Sequence, residues 1–187
     1  MRKATERSMK HSIVPFCLAS LVILPSVKAD ISELKEVPAS LTIYAPARNA
    51  RLERRKVQGK LYDQMPTVNY TYTSVVAAFA LPVLFKNAAA SFPKGTKLTK
   101  FPDIKDDVIQ VNLSKQFLQR GFWNSPNRTR LAVYSIVNTT VEGNPVRSVS
   151  YRVRLLIDGK PIRNLANVDL RKPLQPRMDM VSQHKAK

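Results

Sequence analysis

Cysteine and histidine are almost absent from this chain, with one Cys and two His in 187 residues. Cys17 sits in an apolar run near the N-terminus, His11 just ahead of it, and His184 among the last few residues. The body between them has neither. That excludes a disulfide framework, a thiol nucleophile, Ser-His-Asp or Cys-His catalysis and the usual zinc sites. Serine–lysine catalysis needs S-x-x-K at a helix start, and the nearest match, Ser114 to Phe117, ends in phenylalanine. The five glycines are dispersed, so no loop can cradle a phosphate, and no cofactor is expected. Acidic residues are scarce as well, 13 against 31 Lys and Arg. Their one cluster in the body is Asp103, Asp106 and Asp107, next to Pro102 and Lys105. Calcium-loop spacing is missing, which leaves solvated turn carboxylates as the simpler reading. The alternative is a wall-polymer hydrolase working with Asp103 and Asp107 as paired carboxylates.

Basic charge is what remains, a formal +18 at neutral pH. Part of it lies in Arg2, Lys3, Arg7 and Lys10, which precede the apolar run Ile13 to Val27. A charged start, about 15 apolar residues and an A-x-A-like end predict a secretory signal peptide over residues 1–29. Cleavage falls between Ala29 and Asp30. A bilayer span needs roughly 20 apolar residues, and Pro15 and Pro25 bracket this shorter run, so no permanent membrane anchor is expected. Cys17 lies inside the run after Val14-Pro15-Phe16, which is not the small-residue motif of a lipidation site. An exported, strongly basic chain meets wall polymers, anionic headgroups and acidic proteins, and no nucleic acid is expected as a partner.

Residues 30–39 read as a linker. "SLTIYAP", 40–46, alternates as a strand, with Leu41, Ile43 and Ala45 on one face and Thr42 and Tyr44 on the other. "RLERRKVQG", 51–59, is its hairpin partner across Asn49-Ala50, and its charge marks an edge strand. Residues 60–72 read as irregular. A helix begins at Ser74, capped by Thr73 or Ser74, and Pro82 kinks or ends it. "FPKGTKLTKF", 92–101, is a turn and a strand, paired antiparallel with 106–114 through "PDIKDD". Ser125 caps a second helix with Pro126 at its first position, running to about Thr140 and closed by Gly143-Asn144-Pro145. A long strand from Arg147 leads to Asp158-Gly159, the strongest short hairpin signal, and "KPIRNL" returns. "VDLRKPL" adds a strand or settles on the sheet edge, and residues 175–187 form a basic, mobile tail. Two binding candidates emerge: the basic run Arg51, Arg54, Arg55 and Lys56, and Phe122-Trp123, which is either a contact anchor or a staple on the second helix.

The order of these signals resembles the GerMN domain, named from the spore germination protein GerM. Pro93, Gly95, Thr96 and Leu98 match its turn and strand; Val111, Leu113, Ser114 and Phe117 match the next strand end. Ile136, Val137, Asn138 and Thr139 match "I-V-N-T" in the second helix, and Val153, Asp158, Gly159, Asp169 and Leu170 match the last hairpin. The resemblance covers residues 40–174. It implies an α+β, two-layer domain, with a small and mainly antiparallel sheet and two helices packed on one face. It also implies an extracytoplasmic module without catalytic residues, engaged with an envelope protein or an anionic cell-wall polymer. Homo-oligomerisation by edge pairing is a further possibility. This chain departs from the pattern in having one copy of the domain, no lipidation cysteine and a very basic edge.

Overall fold

A computed structural model describes residues 34–64, 71–143 and 151–183. The expected signal peptide, its Ala29–Asp30 cleavage site, Asn144-Pro145 and His184 lie outside these residues. The fold is α+β, with element order ββαββαββββ.

Strands β1 (Glu36–Pro46) and β2 (Leu52–Tyr62) form an antiparallel hairpin in continuous register from Glu36↔Tyr62 to Pro46↔Leu52. β1 starts four positions earlier than its alternation suggests, inside the segment read as a linker. β2 likewise runs to Tyr62, into residues read as irregular. The turn is tight: Ala47 N–H donates to the Arg51 carbonyl at 2.8 Å, and Ala50 takes a left-handed φ of 55°. The predicted inward residues Leu41, Ile43 and Ala45 are buried.

Helix α1 (Tyr72–Asn87) is capped by Thr71, not by Thr73 or Ser74. Thr71 Oγ1 accepts from Ser74 N–H at 3.2 Å and Ser74 Oγ accepts from Thr71 N–H at 3.0 Å, a capping box that satisfies two otherwise orphaned donors. The helix passes through Pro82, which faces solvent, where water can serve the carbonyl left without its helical donor. Helix α2 (Pro126–Glu142) starts as its sequence dictates: Ser125 caps it and Pro126 occupies the first turn. It contacts α1, β1 and β5 (Arg152–Ile157), and Leu131 to Thr140 are buried apart from Tyr134.

The main sheet has the order β3-β4-β5-β6, adding β3 (Asp103–Lys105), β4 (Val108–Leu113) and β6 (Lys160–Pro161). One expectation is corrected here: residues 92–101 are not a strand; Leu98 alone bridges Leu113, and Pro102 has no N–H with which to extend a ladder. The antiparallel partner of β4 is β3, and the connection shrinks to Asp106-Asp107, both left-handed (φ 50° and 58°). The pairing is mainly antiparallel, as expected, but the central pair β4–β5 is parallel, from Val108↔Arg152 to Leu113↔Ile157, with α2 lying between the two strands in sequence. A two-stranded hairpin of β7 (Asn164–Leu165) and β8 (Val168–Asp169) follows, and Leu174 then exchanges two 2.8 Å bonds with Val153 of β5. "VDLRKPL" therefore does both things its pattern allows.

Ile109, Val111, Leu113, Val153, Leu155 and Ile157 of the sheet join one core with Leu41 and Ile43 of β1, Leu81 and Leu84 of α1, and Ile136 and Val137 of α2. Each such side chain contributes about 1.5–3 kcal/mol on burial. The tail is the second correction. Through Gln183 it is docked: Met180 is buried with Tyr44, Leu52 and Leu131, and Val181 bridges Leu52.

Candidate binding surfaces

The basic run does not form one patch, because a strand sends successive side chains to opposite faces. Arg54 and Lys56 are exposed on the outward face of β2, and Lys60, outside the predicted run, joins them at the same period. Arg55 points the other way and is held by Glu53, with Nε at 2.9 Å and Nη2 at 2.6 Å from one carboxylate oxygen. Arg51 lies in the turn and its Nη1 donates to the Asp179 carbonyl at 3.3 Å. Lys60 reaches Glu36 at 3.0 Å, an exposed pair that water screens strongly. The outward stripe is thus Arg54, Lys56 and Lys60, legible from the alternation R-x-K-x-Q-x-K.

Phe122 and Trp123 also divide. Trp123 folds back on the segment that precedes it: its Nε1–H donates to the Phe117 carbonyl at 2.7 Å, and its ring meets that of Phe117 edge-on at 5.2 Å. Phe122 is half-buried beneath the Arg128 guanidinium, 4.1 Å from the ring centre. It lines a groove of about 420 Å³ with Phe85, Phe92, Lys94 and Gln119. Arg128 also donates from Nη2 to the Ala90 carbonyl across this groove.

The residues that carry the family pattern are scaffold. Pro93 to Thr96 form a turn in which Gly95 takes φ 86°, and the Ser114 hydroxyl donates to its carbonyl at 3.0 Å. Asn138 and Thr139, fully buried, serve backbone groups elsewhere. Thr139 Oγ1 accepts from Tyr44 N–H at 2.9 Å, and Asn138 grips Arg177. Asp158 (φ 50°) and Gly159 (φ 77°) make the predicted two-residue turn, in which Gly159 N–H donates to Asn112 Oδ1 at 3.1 Å. Asp158 lies 3.2 Å from Lys115 and borders a groove of about 610 Å³ lined also by Leu118, Lys160 and Arg163.

Asp103, Asp106 and Asp107 are all exposed, on a turn and the strand before it. A glycosidase-type pair needs its acid in a desolvated cleft, and this turn supplies none. Among the described residues no group of three or more His, Cys, Asp or Glu is placed to hold a metal ion, and no helix is long and apolar enough to cross a membrane. Among the described residues the Asp169 carboxyl is carried well below its ordinary value. The Arg171 guanidinium and backbone N–H, donating to it at 2.7–3.0 Å, bring it down to about 2.

The family described as "Germane: Sporulation and spore germination" matches residues 42–163, from within β1 to just beyond β6. None of the curated proteins matches the sequence. Among solved structures, a crystal structure of a candidate lipoprotein from Clostridium perfringens is similar. It is 18% identical over 78% of this chain and 90% of that chain, with a TM-score of 0.46.

Proposed function

This chain belongs to the Germane family of sporulation and spore germination, and from that premise we propose that it is an exported, non-enzymatic binding module of the bacterial cell envelope. It docks on an envelope protein assembly or an anionic wall polymer through a basic surface. The observation that carries this reading is the stripe of Arg54, Lys56 and Lys60, three exposed cations on one face of β2 with Gln58 between the last two. A strand fixes their spacing, so they present a regular field to an anionic partner instead of a diffuse one. The basic segment and apolar run before Ala29 support export. The exposed turn position of Asp103, Asp106 and Asp107 weighs against hydrolysis.

The test is retention of the purified protein on isolated bacterial envelope at low and high salt. Exposed charge pairs weaken as ionic strength rises, so binding should fall steeply with salt. Replacing Arg54, Lys56 and Lys60 together by Glu should abolish it without changing thermal stability much. Retention that ignores both salt and the triple replacement would overturn the proposal, as would turnover of a wall substrate that Asp103→Asn with Asp107→Asn removes.

A further inference from the structure

We propose that the open edge of β2, from Arg54 to Lys60, accepts an extended acidic segment of a partner protein as an added strand. The inference rests on the basic-surface reading above and assigns that surface a partner and a mode of contact.

The first argument is backbone parity. In an antiparallel pair, alternate residues bond across the ladder and those between them direct N–H and C=O away from it. The bonds Ala47 N–H to Arg51 O and Asp63 N–H to Lys35 O assign the odd-numbered residues of β2 to the β1 ladder. Leu52, Arg54, Lys56, Gln58 and Lys60 therefore turn their backbone groups outward. At Leu52 this edge is already used as an acceptor: Ser182 N–H donates to its carbonyl at 2.8 Å, with Val181 in a parallel bridge. Among the described residues, no backbone group partners Arg54 to Lys60 on that side.

The second argument is asymmetry. The outward edge of β1 carries the same parity and is blunted. Pro38 and Pro46 occupy outward positions and have no donor, and Tyr44 N–H is taken by Thr139 Oγ1. β2 has no proline, so it keeps every outward donor from Arg54 to Lys60, whereas β1 loses those of Pro38, Tyr44 and Pro46. The third argument selects the occupant. The residues with outward backbone groups also place Arg54, Lys56 and Lys60 on the solvent face, where the side chains of an added strand would lie beside them. Carboxylates at alternate positions complement that stripe. A second copy would set cation against cation, which is how charged edges discourage self-pairing.

The probe is a short synthetic peptide alternating Glu and Thr, with a Lys-for-Glu peptide as control. Binding is read by fluorescence anisotropy at low and high salt, and by amide hydrogen exchange. We expect the Glu peptide alone to bind, with new exchange protection at Arg54, Lys56, Gln58 and Lys60. Gln58→Pro removes one outward donor and leaves the β1 ladder intact, and should weaken binding at least about tenfold. Because protection is measured on the natural chain, the test survives if that variant fails to fold. Envelope retention without peptide binding would overturn this inference and leave the binding-module reading standing. Binding that Gln58→Pro does not alter would reduce the contact to charge alone and overturn strand addition. Protection that grows with protein concentration and no peptide would assign the edge to a second copy, also against the proposal.

Discussion

Asn138 in α2 holds the backbone of Arg177 from both sides: its Oδ1 accepts from Arg177 N–H at 2.9 Å and its Nδ2 donates to the Arg177 carbonyl at 3.1 Å. One buried amide thus anchors a segment 39 residues further along the chain. Asn138→Ala leaves the Arg177 N–H without its protein partner and the Arg177 carbonyl with the Met180 N–H alone, at a cost of about 1–3 kcal/mol. Chemical denaturation should register the loss, and limited proteolysis should find residues 177–183 newly cleavable. Asn138→Asp keeps the acceptor but sets a buried carboxylate against the Arg177 carbonyl, and should cost at least as much.

Gly59 is required by its neighbour across the hairpin. A Cβ there would stand 2.4 Å from Leu41 Cδ1, and Leu41 is buried in the core. Gly59→Ala should therefore destabilise by about 1–3 kcal/mol, the usual range for overpacking. Adding Leu41→Val should recover part of the loss in thermal unfolding, because it shortens the side chain that clashes. No recovery would mean that the strain lies in the backbone.

The turn at Asp158 and Gly159 separates shape from chemistry. Asp158→Asn keeps a residue that tolerates left-handed φ and removes only an exposed pair with Lys115, so stability should move by less than about 0.5 kcal/mol. Envelope retention should not change. Gly159→Ala, forced to φ 77°, should cost about 1–2 kcal/mol in denaturant unfolding. A loss of binding in the first variant would give Asp158 a role beyond turning the chain.

Asp169 gives a pH signature. Its folded carboxyl sits at about 2, below the ordinary 3.8, because Arg171 donates to the charged form. A lowered value means the pairing contributes above the ordinary carboxylate range and is lost as pH falls through about 2. Carboxyl carbon NMR should show that late titration, and Arg171→Gln should return the midpoint towards 3.8. Since the pair is exposed, thermal stability should barely follow it.

What could be read in the sequence is what neighbours decide. Ser125-Pro126 starts α2 and Asp158-Gly159 turns β5 into β6 because caps and tight turns need particular residues at adjacent positions. The β1–β2 hairpin was legible for the same reason, although its ends were set too short. The cap of α1 was missed because its capping box uses Ser74 where Glu or Gln is usual. β3, three residues long, is too short to show alternation. The parallel pairing of β4 with β5 and the docking of Met180 depend on partners far away in the chain, and no local pattern encodes them. At the candidate site, composition located the positive charge, but strand geometry had to divide Arg54 and Lys56 from Arg55 and bring in Lys60.

The parallel pair also sets when the molecule can exist as a folded body. Val108 lies beside Arg152, so the centre of the sheet cannot close until the final third of the polypeptide is present. A chain emerging from its N-terminus can offer only local pieces before that point: the first hairpin, α1, the β3–β4 hairpin and α2. A protein wired in this way closes its centre late, in one cooperative step that waits for β5.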